Sequence, residues 1–187
     1  MSSTRENTFF NIDNRIFYLS DDVDNESIGR LAFNILCEIK KDDNNDEKEK
    51  NFERKPIKLY INSYGGSVYD MWGLIDVILN SKTPIYTYCT GYAMSAAFEI
   101  FLAGHKRYCY KHSTFMYHQM GCKLYGKLQD INEDREEMEL LNKQIEDYVI
   151  ERTNLTKDDI NDVREKRKDF YIHSDKAVKY GIVDEIL

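Results

Sequence analysis

Apolar positions recur along the chain with two alternating periods. RIFYLS at 15–20 reads as a strand after a short polar leader, and residues 26–39 then place Ile28, Leu31, Ile35 and Ile39 at helical spacing. IKLYIN at 57–62 alternates as a strand, and residues 68–80 put Met71, Leu74, Ile75 and Ile78 on one helical face. TPIYTYCT at 83–90 reads as a buried strand ended by Gly91, and AMSAAFEIFLA at 93–103 as an apolar helix. Residues 106–110 and 113–117 are two further strands. Strands and helices in alternation, joined by short connections, predict an α/β domain with a mainly parallel sheet.

The second half differs. Residues 127–152 form a long Glu- and Lys-rich helix with a narrow apolar stripe of Met138, Leu141, Ile145, Tyr148 and Val149. A helix this long and polar protrudes or packs on a partner. Thr156 to Asp159 resembles a capping box with Asp in place of Glu, so a short helix follows. DFYI at 169–172 is a strand, and SDKAVKYGIVDEIL at 174–187 a closing helix and strand. Between the first helix and the second strand, residues 40–55 mix both charge signs with asparagines and predict a mobile surface loop.

Composition narrows the function. The 187 residues carry a net charge of −7 and no basic stripe, which argues against a nucleic-acid ligand. No apolar run reaches the roughly 18 residues of a membrane span. The first residues lack a basic segment followed by an apolar one, so no secretory signal is read and a cytoplasmic location is expected. The four cysteines, Cys37, Cys89, Cys109 and Cys122, have no CxxC spacing and read as free thiols rather than metal ligands. No phosphate-binding loop is present.

Three segments can carry chemistry. GYAMSAA at 91–97 brings a strand to a glycine and starts a helix at once. Ser95 then faces the crevice beyond the strand ends, and the Ala96 amide can point at an oxyanion. INSYGG at 61–66 follows a buried strand, and the Gly66 amide is a second candidate oxyanion donor. MYHQM at 116–120 puts His118 just beyond another strand. If the strands bearing Ser95 and His118 are parallel neighbours, the imidazole can take the serine proton. An acid should orient that imidazole. Asp158, Asp159, Asp162, Glu165 and Asp169 are all available after the long helix, and composition does not choose among them. His105, His112 and His173 lie in surface connections or beside the last strand and have weaker claims.

Together these segments resemble the proteolytic subunit of the Clp protease (ClpP), whose motifs INSPGG, G-x-A-x-S and MIHQP match INSYGG, GYAMSAA and MYHQM here. The tail KAVKYGIVDEIL is similar to that family's EAVEYGLVDSIL, and the likeness runs from about residue 15 to the end. The resemblance implies a crotonase/ClpP-like fold of repeated β-β-α units over a single domain, 1–187. The head would span about 15–121 and 155–187, and a protruding handle about 122–154.

The resemblance also implies an ATP-dependent serine endopeptidase. Ser95 matches the nucleophile, His118 the base, and Gly66 and Ala96 the oxyanion amides. Ungapped matching of the C-terminal segment puts Glu165 at the acid position; a small gap brings in Asp162, and Asp169 is the third choice. Two stacked heptameric rings, an AAA+ unfoldase partner, and peptide or unfolded-protein substrates are implied, with ATP entering only through that partner and no metal or organic cofactor. Tyr64 and Met120 stand where the family has prolines, and the leader is short. The two replaced prolines remove no reacting group, whereas the short leader and the charged run at 40–55 keep open a phage-type maturation protease without an ATPase, and Glu165 in place of the family's Asp keeps open a catalytically weak or inactive structural ring subunit. An acyl-CoA hydratase of the same fold group is a further alternative.

Overall fold

The computed structural model describes residues 9–166 and 168–187; the leader read from the sequence falls largely on residues 1–8, outside them. Eight strands form one sheet: β1 (Phe9–Asn11), β2 (Ile16–Leu19), β3 (Ile57–Ser63), β4 (Ile85–Met94), β5 (Lys106–Cys109), β6 (Thr114–Tyr117), β7 (Phe170–His173) and β8 (Glu185–Ile186). The helices are α1 (Asn25–Lys48), α2 (Val68–Leu79), α3 (Ala96–Leu102), α4 (Leu128–Arg152), α5 (Lys157–Lys166) and α6 (Ser174–Lys179). The order β1-β2-β3-β4-β5-β8 is parallel throughout except at β1, and β6 joins β4 in parallel while β7 runs antiparallel to β6. The expected open α/β sheet is present. Its core is built from Phe17, Leu59, Ile61, Met71, Leu74, Phe98, Phe101 and Phe115, all fully buried.

Beyond β1, a strand inside the stretch read as a polar leader, two elements depart from the expectation. The run at 40–55 is not a loop along its whole length, because α1 continues to Lys48. The buried stripe of α1 runs Ile28, Leu31, Ile35 and then Glu38 and Asp42, so its period holds while its hydropathy reverses. Asp42 takes both terminal nitrogens of Arg15, at 3.0 and 2.7 Å, and the Thr83 hydroxyl at 2.7 Å. Arg54 folds back onto Asp43 and Asp46, each at 2.8 Å. A charged sequence is helical here because its inward acids are paired, which a hydropathy period does not detect.

The second departure is β4. It does not stop at Gly91 but continues to Met94 and changes partners on the way. Tyr86–Cys89 pair with β5, and Tyr92–Met94 pair with β6. Asn62 Oδ1 accepts the Tyr92 amide at 3.2 Å and occupies the space a Cβ on Gly91 would need. The glycine therefore marks the fork of the sheet rather than the end of the strand.

The long helix α4 follows its predicted stripe. Leu141, Ile145, Tyr148 and Val149 are buried in its C-terminal half, whereas the N-terminal half is exposed apart from half-buried Ile131 and Met138. At α5, Thr156 and Asp159 cap each other reciprocally: the Thr156 amide donates to Asp159 at 2.8 Å and the Asp159 amide to Thr156 Oγ1 at 3.2 Å. No helix of the described residues is long and apolar enough to cross a membrane.

Candidate active site

Ser95 stands at a sharp corner between β4 and α3. Its backbone has φ 52° and ψ −132°, a left-handed conformation that costs a non-glycine residue of order 1–3 kcal/mol. The corner is held from both sides. The Ser95 amide donates to the Met116 carbonyl of β6 at 2.9 Å, and its carbonyl accepts from Phe98 at 2.7 Å and Glu99 at 3.3 Å. Because β4 and β6 are parallel with Met94 opposite Met116, their ends coincide, and His118 follows β6 directly. His118 Nε2 lies 2.8 Å from Ser95 Oγ. With the proton of the imidazole on Nδ1, Nε2 accepts the serine hydroxyl, the arrangement a general base requires.

The far side of the imidazole faces Asp169, with Oδ1 3.9 Å from Nδ1. Asp169 directly precedes β7, whose antiparallel register pairs Tyr117 with Phe170. Extending that register by one residue sets 169 against 118. Glu165, the acid expected from ungapped matching, is exposed in the last turn of α5 and makes no bond to His118 among the described residues. Asp162 is held by Lys166 and by Lys168, the latter at 2.9 Å, which keeps its carboxyl below the usual range. Of the three acids weighed from the sequence, Asp169 is the one brought to the imidazole. The 3.9 Å separation exceeds a hydrogen bond, and such contacts often tighten only when substrate binds.

The Gly65–Gly66 turn lies against the same corner. Gly65 has φ 98°, and a Cβ there would meet the Met94 carbonyl at 2.5 Å and the Ala96 nitrogen at 2.8 Å. Only a glycine lets this backbone press on the serine turn. The loop before α1 clamps the turn: Val23 donates to the Gly65 carbonyl at 2.8 Å, and Ser67 donates to the Val23 carbonyl at 2.7 Å. Neither the Gly66 nor the Ala96 amide donates to a protein acceptor among the described residues. Both border a cavity of about 210 Å³ shared with Ser95 and His118.

The family model for Clp protease matches residues 12–187. The chain belongs to the Clp protease family. It is 32% identical over 175 residues to an ATP-dependent Clp protease proteolytic subunit 1 of Prochlorococcus marinus, covering 92% of this chain and 84% of that one. It is 33% identical over 135 residues to a proteolytic subunit 1 of Shouchella clausii, covering 71% and 69%. With the proteolytic subunit of Deinococcus radiodurans it shares 27% over 175 residues, covering 92% and 80%.

Within this Clp-family site, the two expected prolines are replaced without disturbing the reacting groups. Tyr64 packs on Tyr92 with ring centroids 4.4 Å apart, and Met120 becomes part of the cavity wall. The sequence reading passed over one residue of the site, Glu99. It lies one turn beyond Ser95, is 3% exposed, and lines the cavity. Its signal is a single acid inside AAFEIFL, an otherwise wholly apolar helix. His105 is absorbed elsewhere, bonded through Nδ1 to the Ile85 amide at 3.1 Å. His173 lies 3.3 Å from the Thr114 hydroxyl. Among the described residues no group of three or more His, Cys, Asp or Glu side chains is placed to hold a metal ion.

Proposed function

We propose that the chain is the proteolytic subunit of a Clp-type serine endopeptidase, with Ser95 as nucleophile, His118 as general base and Asp169 as the acid that orients it. The observation that carries this reading is the 2.8 Å contact between Ser95 Oγ and His118 Nε2 at a strained strand-to-helix corner. In the first step Ser95 Oγ bonds to the peptide carbonyl carbon while His118 Nε2 takes the hydroxyl proton. The carbonyl oxygen gains the electron pair and is met by the amides of Gly66 and Ala96. His118 returns the proton to the leaving amine as the C–N bond breaks, leaving an acyl-serine. Water, deprotonated by the same imidazole, then attacks the ester and restores Ser95. Asp169 accepts the Nδ1–H as the imidazolium forms.

The relatives are named as ATP-dependent Clp protease proteolytic subunits, which supports two further elements of the proposal: that the chain is one subunit of a larger assembly and that its activity depends on ATP. We take the assembly to be two stacked heptameric rings, with a partner ATPase supplying the ATP dependence. The exposed N-terminal half of α4 is the proposed handle between rings. Peptides and unfolded proteins are the proposed substrates, the cytoplasm the proposed location, and no metal or organic cofactor enters the mechanism.

The test is native mass combined with fluorophosphonate labelling of the same sample. A particle of about fourteen subunits, labelled once per chain and unlabelled in Ser95→Ala, supports the reading. Persistent labelling of Ser95→Ala sinks the nucleophile assignment. The 3.9 Å gap between His118 and Asp169 favours one second reading, a catalytically inactive structural ring subunit. An unlabelled ring that cleaves no peptide would establish it.

A further inference from the structure

The cavity beside Ser95 is walled by Val68, Met71, Met120 and Ile145, and its one acidic side chain is Glu99. Glu99 is almost wholly buried, and its Oε2 has no hydrogen-bond partner. No lysine, arginine or histidine forms an ion pair with it among the described residues. Burial pushes the carboxyl up to about 8, opposed only in part by a hydrogen bond from its own backbone amide. A buried carboxyl oxygen with no partner, on a residue that lines an apolar pocket beside the nucleophile, is expensive to keep unless something completes it.

The pocket is positioned to take one part of a substrate. Gly66 and Ala96, which would hold the oxyanion, and Ser95, which would attack, all lie on its rim. The substrate side chain nearest the attacked carbonyl, on the residue immediately N-terminal to the cleaved bond, is therefore the one that enters. We propose that Glu99 makes this pocket selective for lysine or arginine at that residue. The aliphatic stem would lie along Val68, Met71 and Ile145, and the cationic head would complete the buried Glu99 carboxylate. Binding transfers no covalent bond: the acid, where protonated, gives its proton to solvent as the cation arrives. An acid at the end of a specificity pocket imposes the same preference in unrelated serine peptidases.

This inference rests on the peptidase reading above, and the experiment separates the two. Four fluorogenic peptides would differ only at the residue before the cleaved bond: lysine, norleucine, leucine or glutamate. Lysine and norleucine share a linear stem and differ in the ammonium group. The native particle is expected to cleave the lysine peptide with kcat/KM roughly ten- to a hundredfold above the norleucine peptide, the range of a charged hydrogen bond. Glu99→Leu should bring that ratio to about one or below. Glu99→Gln, which keeps the side-chain shape, should lower it as well. A labelled, active native particle that favours norleucine or leucine over lysine overturns the inference and leaves the peptidase reading standing. So does a lysine preference unchanged in Glu99→Leu. A particle that neither takes the fluorophosphonate nor cleaves any of the four peptides overturns both.

Discussion

Glu99 should make the protein lose stability as pH rises, and the loss can be worked out from its burial. Its carboxyl, ordinarily near 4.5, is pushed up to about 8 because the charged form has no water around it. Below pH 4.5 both the folded and unfolded chains carry the proton, and this residue contributes no pH dependence. Between 4.5 and 8 the unfolded chain releases the proton while the folded chain retains it. The unfolded state then binds fewer protons, so stability falls by about 1.4 kcal/mol for each pH unit. The accumulated loss is about 3 kcal/mol at pH 7 and levels off near 5 kcal/mol above pH 8.

Glu99→Gln removes the titration while keeping the volume. The cost of burying an unpaired amide is constant with pH and cancels from the slope. Urea unfolding of both proteins, in a Ser95→Ala background that prevents self-cleavage and at fixed protomer concentration, would be followed at pH 5, 6, 7 and 8. The variant should gain on its parent by about 3 kcal/mol between pH 5 and pH 8. Parallel curves would refute the reasoning, because they would mean that Glu99 ionises in the folded protein as readily as in the unfolded one.

Other substitutions test the site and the frame that holds it. Asp169→Asn should lower kcat for peptide cleavage by about 10²–10⁴, while Glu165→Gln stays within about twofold; the reverse ranking would restore Glu165 as the acid. Gly65→Ala forces a Cβ to 2.5 Å from the Met94 carbonyl and should abolish fluorophosphonate labelling of Ser95, with circular dichroism reporting whether the fold survives. Asp42→Ala takes from Arg15 its nearest acid, leaving Glu38 at 3.5 Å, and from the Thr83 hydroxyl its acceptor, and should destabilise the domain by about 3 kcal/mol in urea unfolding. Hydrogen exchange should then quicken first over residues 40–48; unchanged protection there would show that the end of α1 does not depend on this pairing.

The alternation of strand and helix periods was sufficient to write out the α/β order, because burial on a sheet or beneath a helix leaves a local period in the sequence. The motifs around Ser95, Gly66 and His118 were legible for a related reason: each is a short segment in which a glycine or a strand end sets the geometry within a few residues. Three features were settled only by long-range contacts. Asp42 continues the inward stripe of α1 through pairs with Arg15 and Thr83, each more than 25 residues away, so its polarity read as a loop. The acid facing His118 depended on the register of β6 against β7, and an antiparallel register is fixed by the two strands together rather than by either sequence. Glu99 acquired its burial and its place beside the nucleophile only when α2, α3 and α4 closed around it, since a lone acid in an apolar helix carries no sign of what surrounds it. Local periodicity determined most of the elements, and short motifs together with the family likeness marked the proposed reacting pair; the pairing of distant charges, the strand register and the enclosure of the pocket required the folded chain, because each is a property of two or more segments at once.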